Sequence, residues 1–300
     1  MQSNVLIVDI VAKYIVKHRG KFLRPTLVLL SSRICGKPTK NTYIAAAIVE
    51  LLHVATLVHD DVVDDSDLRH GILSIKGKWK NKIAVLMGDY LLSKSLIGAT
   101  QTDSLDIIHI LATAAKRLSK GELNQLEKTR KLDLNEEEYL ALISDKTAAL
   151  ISSCSELGAL TSSLDKPEYR QAMKMYGEYL GIAFQIKDDL LDYQSNLKIL
   201  GKPAGADLKE SKLTLPMIYA LSQVDKSEAK SILKQMKKGL KNKQLRDVIQ
   251  FVVDQNGIEY AYEKAREFGQ KAKNELAIFP DSQYRDACLS LVDYVIERRK

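Results

Sequence analysis

Residues 41–65 read NTYIAAAIVELLHVATLVHDDVVDD. Apolar side chains return every three or four positions for more than five turns. That spacing makes one apolar face on a helix and no consistent face on a strand. Asn41 or Thr42 is the expected N-cap. The segment then ends in charge: Asp60, Asp61, Asp64, Asp65 and Asp67 fall within eight residues. Like charges at i,i+4 on a helix cost a few tenths of a kcal/mol per pair. Acids at a helix C-terminus also oppose the macrodipole. A chain that places so much negative charge beside core residues needs positive charge to balance it.

The same form recurs downstream. DKPEYRQAMKMYGEYLGIAFQIKDDLLDY opens with Asp165, Pro167 and Glu168, a helix-start signal, and closes on Asp188, Asp189 and Asp192. Helical periodicity also covers roughly 83–98, 104–127, 135–162, 213–222, 226–238, 243–254, 257–277 and 282–299. The N-terminus reads as an amphipathic helix. Loops are expected at 31–41, 66–81, 128–134 and 194–211. No run of alternating strands and no hairpin turn pair is visible. The expectation is an all-α chain, residues 1–300 forming a single domain of about ten or more helices.

Composition narrows the function. The 300 residues are 45% hydrophobic, 28% charged and only 6% aromatic, with a net charge of +7. The basic excess suits anionic partners. No Lys/Arg block with interleaved aromatics argues for nucleic acid. Cys35, Cys154 and Cys288 have no metal-ligand spacing and are expected to be buried free thiols in a reducing compartment. No uncharged apolar run of about 18 residues is present, so no membrane span is expected and the location reads as cytoplasmic.

Within each acidic cluster the first and last aspartates are four apart and share a helix face. A single cluster of this kind is most often a solvated helix end. Two of identical form are harder to dismiss. If they converge, bound cations are required. Carboxylates without a His or Cys pattern suit hard ions, and Mg²⁺ typically bridges to a substrate phosphate. Cations for such a phosphate recur along the chain: Lys21 and Arg24 in HRGKFLRP, Arg69 in DLRHG, Lys146 with Thr147 in DKTAAL, and Lys202 and Lys212 in GKPAGADLKESKLTLP. Each alone reads as a surface residue; their joint pattern carries the signal.

With GDYLL and GIAFQIKDDLLDY, these pieces span nearly the whole chain. In this order the chain resembles the trans-isoprenyl diphosphate synthases, or polyprenyl synthetases, and is most like their long-chain, octaprenyl-type members. The resemblance implies a homodimeric all-α bundle around a deep central cavity. It implies a prenyltransferase acting on isopentenyl diphosphate and an allylic diphosphate, with peripheral membrane contact for product release. By resemblance, Asp60, Asp64 and Asp188 ligate Mg²⁺, expected as three ions, with Asp61, Asp189 and Asp192 supporting. Arg69, Lys146, Thr147, Gln185 and Lys202 face the allylic diphosphate, with Lys212 beside them. Lys21, Arg24 and His53 bind isopentenyl diphosphate, with His70 next to that site. Asp60, Asp61, Asp64, Lys146, Asp188 and Lys202 carry the catalysis.

Three positions depart from the family pattern. Phe22 replaces the middle arginine of Gly-Lys-Arg-x-Arg-Pro, His70 replaces the second arginine of Arg-Arg-Gly, and Ser211 stands where glycine is common. Product length is read from the helix upstream of Asp60. One isoprene unit is about 5 Å, close to the roughly 5.4 Å rise of one turn. Thr56 and Ala55 are small and Leu52 lies one turn further, followed by Val49 and Ile48, so a long product is expected. The alternatives are a short-chain farnesyl or geranylgeranyl diphosphate synthase and a non-catalytic subunit of a heteromeric synthase. Terpene cyclases are disfavoured by the second Asp-Asp-x-x-Asp.

Overall fold

The computed structural model describes residues 4–18, 20–69, 71–163, 165–198 and 206–298, with backbone alone for 194–198, 206 and 209. Its helices are α1 (Leu6–Lys17), α2 (Leu23–Cys35), α3 (Lys40–Val63), α4 (Ile75–Thr100), α5 (Leu105–Lys131), α6 (Glu136–Ile143), α7 (Ala149–Leu160), α8 (Pro167–Lys198), α9 (Ala206–Lys209), α10 (Leu215–Ser222), α11 (Lys226–Lys237), α12 (Asn242–Asp254), α13 (Gly257–Glu275) and α14 (Gln283–Glu297). A π-helical turn, Ser144–Ala148, joins α6 to α7. The all-α expectation holds. Two compact units are distinguished: Met1–Ala115 with Ser153–Gln171, and Lys116–Ser152 with Ala172–Lys300.

The first unit is built on α3. Its N-terminus differs from the expected cap: Thr39 is the N-cap, and Thr42 Oγ1 accepts from the Thr39 amide at 2.9 Å. Along α3, Ile48, Val49, Leu52, Ala55 and Val58 are buried. Each such aliphatic side chain contributes roughly 1.5–3 kcal/mol if fully buried, and less for alanine. One cluster joins Ala55 and Val58 to Val11 and Ala12 of α1 and to Ile75, Ala84, Met87 and Leu91 of α4. Helix α7 packs close on α2, because a Cβ at Gly158 would meet the Val28 carbonyl oxygen at 2.4 Å.

Several local features went unanticipated. Helix α2 runs to Cys35, into the expected 31–41 loop. A two-residue antiparallel hairpin, β1 (Leu68–Arg69) with β2 (Ile72–Leu73), turns through Gly71 at φ +79. Helix α4 is interrupted at Lys80, which has φ 70. Its regular part agrees with the periodicity over 83–98. Helices α3 and α4 have the length and hydropathy of membrane-spanning helices, although the charge pattern suggested none.

The second unit centres on the later part of α8. Ala183, Ile186, Leu190 and Tyr193 are buried with Tyr139 and Leu142 of α6 and Leu215 and Met217 of α10. Asn135 caps α6: its Oδ1 accepts from the Glu138 amide at 2.9 Å, and Glu138 returns the contact to the Asn135 amide at 3.1 Å. The second acidic motif corrects an expectation. It lies inside α8, which continues to Lys198, and does not end the helix. The macrodipole penalty inferred from sequence therefore applies to the first motif only.

Candidate active site

In the first unit the acidic motif closes α3, with Asp64 as its C-cap. Asp60 is half-buried and Asp64 exposed. Asp61 is 4% exposed. Arg69, on β1, grips Asp61 Oδ1 through Nε and Nη2, each at 2.9 Å. The remaining acids have a different task. Asp65 and Asp67 hold Lys76 Nζ at 2.7 and 2.9 Å. That lysine is 8% exposed, so this pair pins the hairpin to the start of α4.

Arg24 Nη1 lies 2.8 Å from His53 Nε2. Burial pushes the Arg24 guanidinium down and the Glu50 carboxyl up. Among the described residues, Arg24 Nε has no hydrogen-bond partner. Lys21 is exposed. Phe22, at the N-cap of α2, adopts a left-handed φ of 53. A cavity of about 770 Å³ reaches from α1 to His53, Asp61 and Arg69. Its α3 wall includes Glu50, Leu51, Val54 and Leu57. Leu52, Ala55 and Thr56 lie off that wall. Ala55 is in the packed cluster described above, and Thr56 Oγ1 donates to the His53 carbonyl at 2.8 Å.

In the second unit a cavity of about 210 Å³ gathers Lys146, Thr147, Gln185, Asp188, Asp189 and Lys212. The π-helical turn presents the first two. Gly121 lets α5 approach it, since a Cβ there would stand 2.7 Å from the Lys146 amide nitrogen. Arg117 locks the turn. Its Nε donates to Asp145 at 2.8 Å, Nη2 to the Ser144 carbonyl at 3.0 Å, and Nη2 to Glu178 at 2.7 Å. Lys146 Nζ is held by Glu122 at 2.7 Å and Gln125 at 3.0 Å.

A hydrogen-bonded chain crosses this cavity. Thr147 Oγ1 donates to Gln185 Oε1 at 2.6 Å, Gln185 Nε2 to Asp189 Oδ1 at 2.8 Å, and Tyr139 Oη to Asp189 Oδ2 at 2.6 Å. Burial, with the Asp207 carboxylate nearby, raises Asp189 to about 7. Burial and Asp192 raise Asp207 to about 6. The Asp207 amide donates to Asp192 Oδ2 at 3.3 Å, and Lys212 Nζ pairs with Glu210 at 2.7 Å. Asp188 pairs with Arg298. Lys202 and His70 lie outside the described residues.

Sequence reasoning missed Tyr139, Asp207, Glu122, Gln125 and Arg298. Asp207 stood inside the quoted GKPAGADLKESKLTLP and was the one within reach of motif reading. The others are brought in only by packing.

The residues present suit a divalent metal. Their donors are carboxylate oxygens, the hard ligands Mg²⁺ takes. Among the described residues no three His, Cys, Asp or Glu side chains form a closed metal cage. An ion that keeps waters and borrows phosphate oxygens needs none. Carboxylates and lysines around one cavity match a metal–diphosphate complex better than either partner alone.

The polyprenyl synthetase profile matches residues 6–253. The chain belongs to the polyprenyl synthetase family. It is an enzyme, a prenyltransferase of the trans-prenyl diphosphate synthase type. It is 34% identical over 298 residues to the octaprenyl diphosphate synthase of Haemophilus influenzae, covering 99% of this chain and 90% of that protein. A decaprenyl diphosphate synthase structure from Rhodobacter capsulatus superposes with a TM-score of 0.94 at 36% identity, covering 100% of this chain and 92% of that one. A polyprenyl synthase from Caulobacter crescentus CB15, complexed with calcium and isoprenyl diphosphate, superposes with a TM-score of 0.90 at 34% identity, with the same coverage. This polyprenyl synthetase thus shares the fold of a relative that holds a divalent cation and an isoprenyl diphosphate.

Proposed function

We propose that the chain works as one catalytic domain, an all-trans polyprenyl diphosphate synthase. It adds isopentenyl diphosphate repeatedly to an allylic diphosphate such as farnesyl diphosphate. The small residues upstream of Asp60 support a product of about thirty to fifty carbons, centred on forty. The observation that carries the reading is the cavity where Lys146, Thr147, Gln185, Asp188, Asp189 and Lys212 meet.

Asp60, Asp64 and Asp188 would hold Mg²⁺, expected as three ions, which supplies charge to stabilise the departing diphosphate. The chain's own cations act on the same group. Lys146, Lys212 and Arg69 each sit in an ion pair with an acid and exchange that acid for diphosphate oxygens. Their charge stabilises the leaving group as the allylic C–O bond breaks. Apolar walls keep water from the resulting allylic cation. The isopentenyl double bond attacks it, and the proton lost in closing the product passes to the released diphosphate. Arg24 and Lys21 bind the isopentenyl diphosphate, and His53 orients Arg24.

A homodimer is part of this proposal. Helix α4 exposes Leu86 and Ile97 at 65% and 54%, apolar surface that a second copy would cover. Three buried free thiols support a reducing, cytoplasmic setting.

The test is chromatography of products formed from farnesyl diphosphate and labelled isopentenyl diphosphate, with and without Mg²⁺. A metal-dependent ladder ending near forty carbons is expected. No labelled product from folded protein overturns the activity.

A further inference from the structure

The end of α14 returns to the second acidic motif. Arg298, the first residue after that helix, donates from Nη2 to an oxygen of Asp188 and to the Phe184 carbonyl oxygen, the latter at 3.1 Å. Its guanidinium carbon stands 4.1 Å from the centroid of the Phe184 ring. The side chain is only 12% exposed. Its Nε is buried with no hydrogen-bond partner among the described residues. Among the described residues, Arg298 is the only ion-pair partner of Asp188, and Asp188 the only one of Arg298.

This is not an ordinary surface ion pair. The guanidinium is stacked, largely desolvated and incompletely satisfied, an arrangement that strains a donor with five N–H groups. The acid it holds is the one the proposed function assigns to metal. A guanidinium and a divalent cation compete for one carboxylate, because each repels the other at that distance. Lys187 lies close enough to Arg298 for the two charges to interact, which adds to the positive charge there.

We propose that Arg298 is a positioning residue of the metal site. It neutralises and orients Asp188 in the metal-free enzyme and must release it before a metal ion binds. Arg298 thereby sets the metal affinity from the far end of the chain. The inference rests on the reading of Asp188 as a metal ligand.

Calorimetric titration of the full chain with Mg²⁺ alone, without diphosphate, tests it. Arg298→Met should bind Mg²⁺ at least about threefold more tightly than the wild type, the loss of one competing ion pair. Arg298→Lys, which keeps the charge, should stay near the wild-type value. Asp188→Asn should bind more weakly. Were Arg298 only a clamp for the end of α14, Arg298→Met would lower the melting temperature and leave Mg²⁺ affinity unchanged. Unchanged or weaker affinity in Arg298→Met, with loss in Asp188→Asn, overturns the positioning role alone. Wild-type affinity in Asp188→Asn overturns the metal assignment and the inference with it. Absence of binding in every protein overturns the inference too, since Asp188 would then not take metal ahead of the diphosphate.

Discussion

Arg24 Nη1 donates to His53 Nε2 across 2.8 Å, and this one contact settles the state of the imidazole. A guanidinium can only donate, so Nε2 accepts, the ring is neutral, and its hydrogen sits on Nδ1. Burial, with Arg24 and Arg69 nearby, pushes the His53 pKa down to about 2. His53 therefore enters the site as a neutral acceptor that orients Arg24.

That depression has a consequence for stability. The unfolded chain protonates His53 near pH 6.5, whereas the folded one resists until about 2. The contribution is present above pH 6.5 and is lost as pH falls toward 2. At pH 5 the loss from this residue is about 1–2 kcal/mol. His53→Gln retains an acceptor for Arg24 without the titration. Urea unfolding at pH 7 and pH 5 should show a smaller drop for the variant. Equal drops would mean that other groups govern the acid limb.

Ser211 has φ +59, in the left-handed region. A non-glycine residue there costs about 1–2 kcal/mol. Its Oγ donates to the Met236 carbonyl at 3.1 Å, which offsets roughly 0.5–1.5 kcal/mol of that. Ser211→Ala keeps the strain and loses the bond. Ser211→Gly loses the bond and relieves the strain. The glycine variant should be about 1 kcal/mol or more stabler than the alanine variant by denaturant melts. The reverse order would show that the hydroxyl outweighs the backbone.

Asp60→Ala and Asp188→Ala should each lower turnover by about 100-fold or more, the scale of losing one charge-stabilising element. Both motifs fall in long helices with apolar cores, so far-ultraviolet circular dichroism should barely change. Near-wild-type turnover in either variant would remove that residue from the metal site.

The long helices and both aspartate motifs were legible because period and spacing are local properties. Asp60 to Asp64 and Asp188 to Asp192 each read directly as one helix face. What sequence could not give was partner identity at long range. Tyr139 reaches Asp189 over 50 positions and Arg298 reaches Asp188 over 110. Nothing in either residue's neighbourhood announces that contact. The π-helical turn at Lys146 is indistinguishable by periodicity from a continuous helix, since one shifted hydrogen bond leaves the apolar period almost intact. The Arg69 hairpin was hidden because two-residue strands are too short to alternate. Ser211 stands out in sequence as a departure from glycine, and its left-handed φ supplies the reason glycine suits that position.

The face of α3 along which a product grows is the sharpest remaining test. Ala55 is 1% exposed and packs with Val11, Val58, Ala84, Met87 and Leu91. Phenylalanine there overpacks the cluster by about 1–3 kcal/mol. If the allylic tail runs past Ala55, that bulk also shortens the product. Val54, one residue earlier, lines the 770 Å³ cavity on the α1 side. The two variants therefore separate the two faces. Ala55→Phe should melt lower and cut the product to about fifteen or twenty carbons, an aromatic floor one turn above Asp60. Val54→Phe should leave the product length unchanged. Products of unchanged length from a destabilised Ala55→Phe would make Ala55 a packing residue only. Shortening by Val54→Phe alone would move the growing tail to the α1 side of α3. A wild type that already stops at about twenty carbons would end the long-chain reading, because small residues at Ala55 and Thr56 would then not set the floor.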